Sequence, residues 1–372
     1  MNGSQSEIRN PPFDSAQGRQ SEIPVAVVGV GKMGRYHCQN FAKMAGKAKL
    51  IGVTDRNLDR ARQIADEFKT RAFASVDELI AAKPAAVTVA VPTSDHLASA
   101  EPFLRAGIPV LVEKPLAATL EQARQLADLA RSTGTMLQVG HSERFNPVAT
   151  AIEQMNIRPR FIETHRISPF TFRSADVGAV MDIMIHDIDI VLHLVGAKVV
   201  EVRAVGVNVI GVHEDLANAR LTFANGCVAN LTASRVALKT ERKIRVFSEQ
   251  AYVSMDFQKR IGIAVVKNEN ADLLAVFRQK NAADLAELAA SGVNYADLLK
   301  IRTLQFSDDQ PLARELESFL DSVATGGPPA VSAADGLAAM ETADAIVQSI
   351  KAHCWDGQGD GPVGLAGEEL IR

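Results

Sequence analysis

Short apolar runs alternate with amphipathic segments between about residues 24 and 140. Short apolar runs bounded by turn residues are typical of buried strands, whereas apolar residues spaced three and four apart indicate helices. Because the two kinds of segment alternate, we predict a doubly wound parallel sheet over residues 24–145. The predicted strands are Val25–Val28, Leu50–Val53, Ala86–Val91, Val110–Glu113 and Met136–Val139.

The helices between these strands have recognisable start and stop residues. Ser, Thr, Asp and Asn are common N-caps, and Gly107 stands where a C-cap glycine is expected. The predicted helices run from the glycines after Val28 to about Ala45, from Asn57 or Asp59 through Phe68, from Ser75 through Ala82, from Ser94 or Asp95 to about Ala106, and from about Thr119 to Ser132.

The pattern changes after about residue 145, where strand-like segments follow one another without helices between them. We predict an α+β domain over residues 146–353 with a large, open, mostly antiparallel sheet. The predicted strands are Phe161–Ile167, Val199–Ile210, Ala217–Phe223, Val228–Val236, Lys243–Ser248, Ala251–Phe257 and Ile261–Lys267. The predicted helices are Val177–Val195, ended by Gly196, then Leu312–Thr325 and Ala333–His353.

Three segments have no clear assignment to a packed element. Residues 1–23 are polar and lack an apolar core segment, so we expect a disordered tail that is not a secretory signal. Residues 271–300 are rich in Ala, Leu and Asp and are ambiguous, and residues 354–372 are expected to be a loose C-terminal tail.

The composition favours a globular protein and argues against several other classes of protein. The chain has 372 residues, 47% of them hydrophobic and 23% charged, as expected of a globular protein with two domains. A net charge of −4 and a pI near 6.1 argue against nucleic-acid binding. Three scattered cysteines without a CxxC motif argue against a disulfide framework or a zinc site and fit the cytoplasm. No apolar run reaches the roughly 18 residues of a membrane span.

A glycine motif directly after the first strand predicts a dinucleotide site. Gly29 permits a tight turn, Gly31 lets the backbone approach a pyrophosphate, and Gly34 permits close helix–strand packing. Lys32 and Met33 lie within the same turn, whose helix N-terminus provides N–H donors.

The acid that ends the next strand indicates the type of dinucleotide. Asp55 can accept hydrogen bonds from the adenosine ribose hydroxyls and repels the additional phosphate of NADP, which favours NAD. Arg56 follows it and could tolerate that phosphate, so NADP stays open.

Lys114 ends a strand at the carboxyl edge of the predicted sheet, where ligands bind in open α/β sheets. Its ammonium group could lower the pKa of a reacting hydroxyl. Glu113 and Pro115 on either side favour this interpretation over a solvated loop lysine.

Asp182 and His186 are four residues apart in a predicted helix, so they share one face. Histidine is suited to general-base chemistry near neutral pH, and Asp182 could orient the ring. Asp189 and His193 continue the same stripe, which leaves open a metal site, although hydride transfer needs none and we predict no metal. A structural Asp–His pair in a buried helix is a further alternative.

These landmarks, in this order, resemble the Gfo/Idh/MocA family of oxidoreductases over about residues 24–353. The motifs that carry the resemblance are residues 29–37 (GVGKMGRYH), 92–96 (PTSDH), 112–117 (VEKPLA), 144–147 (RFNP), 181–189 (MDIMIHDID), Val331–Ser332 and 335–337 (DGL).

The resemblance implies a Rossmann domain followed by an α/β domain with an open sheet that serves oligomerisation, and therefore a homodimer or homotetramer. It implies oxidation or reduction of sugars, inositols or nucleotide sugars with NAD(P), with Lys114, Asp182 and His186 as catalytic residues. Pro92, Thr93, His96 and Glu113 are implied cofactor-binding residues. The family often has a glycine run before the catalytic Asp, whereas this chain has Gly178 alone there.

Within the family, the end of the catalytic helix, residues 166–170 and the segment 270–300 are most similar to UDP-N-acetylglucosamine 3-dehydrogenases. These oxidise the sugar 3-hydroxyl to a ketone that an aminotransferase then aminates, on the route to amino-sugar lipid A. A diphosphate requires arginines, and the substrate candidates are Arg144, Asn146, Arg166 and Arg173. A dehydrogenase of free sugars or inositols and a non-catalytic NAD-binding sensor are the alternatives.

Overall fold

The computed structural model describes residues 22–170, 177–210, 212–270, 275, 278–291, 299–355 and 358–360. Predictions for Arg173, for most of the N-terminal tail, for parts of the segment 271–300 and for the chain beyond residue 360 lie outside these residues. The chain forms two compact units, one up to Gly140 together with Leu312–Leu337, the other from His141–Pro311 together with Ala338 onward.

The first unit contains a six-stranded parallel sheet with strand order β3-β2-β1-β4-β5-β6. Its strands are β1 (Ile23–Val28), β2 (Ala48–Thr54), β3 (Ala72–Phe73), β4 (Ala86–Val89), β5 (Val110–Glu113) and β6 (Leu137–Gly140). Its helices are α1 (Lys32–Lys43), α2 (Leu58–Glu67), α3 (Val76–Ala81), α4 (His96–Arg105) and α5 (Leu120–Thr133). The predicted doubly wound sheet is confirmed.

The helix caps of this unit match the residues that the sequence indicates. Asn57 accepts a hydrogen bond from the Arg60 N–H at the start of α2, Ser75 caps α3, and Thr119 caps α5. Gly134 ends α5 in the left-handed conformation. These local hydrogen bonds satisfy backbone groups that a helix end leaves unpaired.

A helix from later in the chain completes the core of the first unit. This helix, Pro311–Thr325, places Leu316, Phe319 and Leu320 in one buried cluster with residues of β1, α1 and α2. The sequence pattern assigned the segment to the second domain, because periodicity shows that a helix has an apolar face but not what covers it.

The second unit contains an eight-stranded sheet with strand order β14-β13-β12-β11-β7-β10-β9-β8. All neighbouring pairs are antiparallel except β7 with β10. Its strands are β7 (Pro159–Ile167), β8 (Val199–Val207), β9 (Leu216–Phe223), β10 (Val228–Ser234), β11 (Glu241–Ser248), β12 (Ala251–Asp256), β13 (Ile261–Val266) and β14 (Ile301–Gln305). The prediction of a mostly antiparallel sheet is confirmed, whereas β14 was not predicted.

Helices cover one face of this sheet. They are α6 (Pro147–Gln154), a π-helical turn (Val180–Met184) that leads into α7 (Ile185–Val195), and α10 (Ala333–Lys351), which begins in the first unit. The remaining helices are α8 (Ala282–Ala290), which lies between β13 and β14 in the chain, and α9 (Pro311–Thr325), which packs in the core of the first unit as described above. Two short strands, β15 (Cys354–Trp355) and β16 (Gln358–Asp360), pair near the C-terminus. Among the described helices, none is long and apolar enough to cross a lipid bilayer.

Candidate active site

The glycine turn after β1 has the backbone that a pyrophosphate site requires. Gly29 has a φ of +81°, and a Cβ there would lie 2.8 Å from the Val91 backbone nitrogen. A Cβ at Gly34 would overlap the Gly29 carbonyl oxygen, so α1 packs closely against the turn. By contrast, the space around Gly31 is open, which leaves its backbone accessible to a ligand.

Asp55 is tied to this turn. Its Oδ2 accepts a hydrogen bond from the Val30 N–H at 2.9 Å, and its Oδ1 accepts one from the Asn57 N–H at 2.8 Å. The carboxylate is therefore fixed directly beside the glycine turn, where ribose hydroxyls of a dinucleotide would be bound. Lys32 and Arg56 are exposed nearby, and Met33 is half-buried.

His96 links the end of β4 to the loop after β5. Its Nδ1 lies 2.9 Å from the Pro115 carbonyl oxygen and its Nε2 lies 3.2 Å from the Val91 carbonyl oxygen. The ring is buried, and burial lowers the pKa of His96, so the imidazole is neutral near pH 7. His96 thereby holds together the two loops, one with Pro92 and Thr93 and the other with Lys114.

Glu113 and Lys114 follow β5 at the same edge, and the Lys114–Pro115 peptide bond is cis. Glu113 Oε1 lies 2.8 Å from Nε2 of the fully buried His37, on α1. Lys114 is half-buried. This hydrogen bond fixes the carboxylate that precedes Lys114 and so restricts the backbone from which the lysine projects.

The strand order places these residues side by side along the carboxyl edge of the sheet. Asp55 follows β2, the glycine turn follows β1, Pro92 and Thr93 follow β4, and Lys114 follows β5, all at the carboxyl edge. The connections reverse direction between β1 and β4, which is where dinucleotides bind in doubly wound sheets. With its open Gly31 backbone, this edge fits NAD, whose adenosine would lie toward Asp55 and whose nicotinamide would lie toward Lys114.

Asp182 and His186 occupy an accessible face of an otherwise buried helix. Asp182 lies within the π-helical turn and His186 in the first turn of α7, and both are partly exposed. Between Met184 and Ile190, every residue except His186 is buried. The sequence predicted a continuous α-helix from Val177, and the π turn is a difference that sequence periodicity does not show. Such turns are frequent at functional sites.

Residues after β8 hold the start of this helix. Glu214 Oε1 accepts a hydrogen bond from the Val180 N–H at 3.1 Å, and the Glu214 carbonyl oxygen accepts one from the Ala179 N–H at 2.8 Å. A Cβ at Gly178 would overlap the buried Glu214 carboxylate. The single glycine before the helix is thus required for space beside Glu214.

A buried arginine directly after β10 holds the segment before this turn. Arg235 Nε donates to Asp215 Oδ1 at 2.7 Å, and Arg235 Nη1 donates to the Val177 carbonyl oxygen. Asp215 Oδ2 also accepts from the N–H groups of Val209 and Ile210. These contacts join the segment before the helix to the sheet.

Two buried ion pairs anchor α7 to its neighbours. Arg166 on β7 donates to Asp187 at 2.7 and 2.9 Å, and Arg144 binds Asp189 through two hydrogen bonds, one of 3.0 Å. Burial lowers the pKa of Arg166, but Asp187 and Glu143 outweigh it, so the net shift is upward and the guanidinium stays charged. Both arginines were predicted to bind substrate, and in the structure both bind carboxylates of α7.

The other candidates of the second unit also make protein contacts. The Asn146 side chain caps α6 by accepting from the Val148 N–H at 3.1 Å. Of the residues considered for a metal, Asp189 binds Arg144, and His193 Nε2 lies 3.0 Å from Glu153 Oε1.

The sequence did not predict roles for Glu214, Asp215 and Arg235, and it included His37 only within the motif 29–37. Their partners lie far away along the chain, so no local motif reveals these contacts. The lone Gly178 before the helix was a usable signal, since a glycine there implies a close neighbour.

Comparisons with known proteins agree with this arrangement. Residues 23–141 match the model of the GFO_IDH_MocA oxidoreductase family, NAD-binding Rossmann fold, and residues 170–355 match that of its C-terminal alpha/beta domain. The chain belongs to the Gfo/Idh/MocA family. The predicted family membership and the predicted NAD-binding Rossmann domain are therefore confirmed.

Individual members of the Gfo/Idh/MocA family align over most of the chain. UDP-N-acetylglucosamine 3-dehydrogenase of Acidithiobacillus ferrooxidans is 36% identical over 323 residues, 87% of this chain and 94% of that protein. A solved structure of this enzyme, GnnA, superposes with a TM-score of 0.77 at 33% identity, covering 89% of this chain and 98% of the other. The NAD(+)-dependent scyllo-inositol 2-dehydrogenase of Bacillus subtilis is 25% identical over 349 residues, 89% of this chain and 95% of that protein.

Proposed function

We propose that this protein is an NAD-dependent dehydrogenase that oxidises the 3-hydroxyl of UDP-N-acetylglucosamine to a ketone. The observation that carries the proposal is the similarity to the Acidithiobacillus ferrooxidans enzyme over most of both chains. It is supported by Lys114 at the end of the dinucleotide edge and by the partly exposed pair Asp182 and His186.

The proposed roles follow from the chemistry of the side chains. His186 accepts the proton of the reacting hydroxyl, and Lys114 donates a hydrogen bond to the oxygen as negative charge develops on it. Asp182 orients the imidazole. When bound, NAD accepts the hydride from the carbon that bears the hydroxyl. Within the first unit, Glu113, held by His37, restrains the backbone at Lys114, and within the second unit the ion pairs of α7 restrain the helix that carries His186.

Recognition of the sugar nucleotide is proposed for Arg144, Asn146, Arg166 and Arg173. A diphosphate at Arg144 or Arg166 would compete with the buried carboxylates of Asp189 and Asp187. These contacts therefore also support a second role for the two arginines, which is to position α7.

The proposed product gives the enzyme a place in metabolism. A 3-keto nucleotide sugar is a substrate for an aminotransferase, which fits amino-sugar lipid A synthesis in the cytoplasm. We also propose that the protein is a homodimer or homotetramer, associated through the open face of its eight-stranded sheet.

A second candidate is the oxidation of a free inositol or sugar. The similarity to the Bacillus subtilis scyllo-inositol dehydrogenase over 89% of this chain favours it. A non-catalytic NAD sensor is the third alternative, against which the retention of Lys114, Asp182 and His186 argues.

Absorbance at 340 nm with NAD and a panel of UDP-sugars, inositols and free sugars distinguishes these candidates. We expect NADH formation with UDP-N-acetylglucosamine in preference to the others. The variant His186→Asn is expected to lose roughly 10²- to 10⁴-fold in kcat while it retains its affinity for NADH. Preferential turnover of an inositol would support the second candidate, and no turnover of any compound would support the sensor.

A further inference from the structure

The carboxyl edge of the six-stranded sheet carries an ion pair that the proposed reaction does not use. Arg56 Nη2 lies 3.0 Å from Asp95 Oδ2. Arg56 directly follows Asp55 at the end of β2, whereas Asp95 ends the 3₁₀ turn Thr93–Asp95 after β4. The two residues thus connect the ends of two strands that are not neighbours in the sheet.

This ion pair lies at the end of the sheet edge where the adenosine half of the cofactor would bind. Because β1 lies between β2 and β4, the pair spans the carboxyl end of β1, where the glycine turn begins. In doubly wound sheets the acid after the second strand marks the adenosine ribose. The pair therefore lies beside the position of the ribose 2′-hydroxyl, to which the additional phosphate of NADP is attached.

Side chains of both signs of charge surround this position. Asp55 and Asp95 are negative, whereas Arg56 and Arg60 are positive, with Arg60 Nη1 4.0 Å from Asp55 Oδ2. A 2′-phosphate would be repelled by both carboxylates. The Arg56 side chain is 80% exposed and can reorient, but it must leave Asp95 to bind a phosphate.

We propose that Asp95 is a specificity-determining residue for the cofactor. Its carboxylate holds Arg56 in an ion pair and so withholds the guanidinium group from a 2′-phosphate, which favours NAD over NADP. The inference concerns the NAD-binding domain and does not depend on the identity of the sugar. Since exposed ion pairs are weak, the expected effect is a moderate change in specificity, about three- to tenfold.

Fluorescence titration of the full-length protein with NADH and with NADPH, at fixed ionic strength and without sugar, tests this proposal. We expect Asp95→Asn to shift the ratio of the two Kd values about three- to tenfold toward NADPH. Asp128→Asn is the matched control, because it removes the acid from another exposed pair, with Arg131, on α5. The control should leave the ratio unchanged.

The role of Arg56 is tested by a double-mutant cycle. In an Arg56→Gln background, Asp95→Asn is expected to give a clearly smaller shift toward NADPH, because only the direct repulsion by Asp95 is then removed and the cation that the substitution releases is absent. A ratio for Asp95→Asn within twofold of the wild type would overturn the proposal. An equal shift with and without Arg56 would also overturn it, since the carboxylate would then act directly on the phosphate. Neither result bears on the sugar reaction.

Discussion

At the scale of single residues, the polar side chains of the site bind partners that lie far away along the chain and cannot be predicted from the local sequence. Arg144 and Arg166 are arginines of the kind that bind diphosphates, yet both lie against buried carboxylates of α7. His96 belongs to a cofactor-loop motif, and its ring is enclosed between two backbone carbonyls. Residue type and motif indicated where the site lies, but only the fold shows which side chain supports which.

His96 makes stability depend on pH. Burial lowers its pKa in the folded state below the ordinary value of 6.5, so the unfolded chain binds a proton more readily than the folded chain. Stability contributed by the neutral ring is therefore present above about pH 6.5 and is lost as pH falls toward the lowered pKa. We expect the free energy of unfolding to fall by up to about 1.4 kcal/mol per pH unit from this group.

Denaturant unfolding between pH 5.5 and 7.5 measures this dependence. The variant His96→Asn keeps polar atoms near the two carbonyls but cannot be protonated, so its stability should change less with pH than that of the wild type. Equal pH slopes for the two proteins would show that His96 is not the responsible group.

At the scale of elements, the π-helical turn that leads into α7 depends on a contact from another part of the chain. Glu214 caps the π-helical turn, and Gly178 leaves room for its carboxylate. Asp182 lies two residues beyond the capped Val180 N–H, so displacement of the cap should change the position of the Asp182 and His186 side chains.

The variant Gly178→Ala tests this arrangement. The added methyl group overlaps the Glu214 carboxylate and should lower kcat with the sugar substrate about tenfold or more, whereas NADH affinity should be unchanged. Glu214→Gln retains a carbonyl oxygen that can accept the Val180 N–H and should be nearly as active as the wild type. Full activity of Gly178→Ala, or an equal loss of NADH binding, would contradict a positioning role for Glu214.

The elements that the sequence predicted well are those with local signals. The glycine turn, the five predicted strands of the first unit and the cap at Asn57 are each determined by residues that lie next to one another in the sequence. By contrast, β3 has only two residues, β14 follows an ambiguous segment, and the parallel pairing of β7 with β10 joins strands distant in sequence. The π turn was missed because its cap, Glu214, comes from a loop beyond β8.

At the scale of the whole molecule, the open sheet face has a continuous row of apolar side chains across five strands. Phe161, Phe247, Tyr252, Val265 and Ile301 lie opposite one another in register. Phe247 contacts both Phe161 and Tyr252, with ring centroids 5.7 and 4.9 Å apart. Exposed apolar rows of this kind indicate a protein interface.

The variant Phe247→Asp places a charge in the middle of this row. If the row forms the proposed homo-oligomer interface, light scattering after size-exclusion chromatography should show a smaller assembly than for the wild type. Leu238→Asp is the control, because Leu238 is 99% exposed outside the row, and it should keep the wild-type mass. An unchanged mass for Phe247→Asp would place the interface elsewhere or exclude one.

The proposed reaction removes a hydride from carbon 3 of UDP-N-acetylglucosamine and transfers it to NAD. Incubation with substrate that carries deuterium at carbon 3, followed by mass spectrometry of the reduced cofactor, tests it most directly. We expect reduced cofactor that contains one deuterium, formed more slowly than with unlabelled substrate. Reduced cofactor without deuterium, or no reduced cofactor under conditions in which NADH binds, would contradict it.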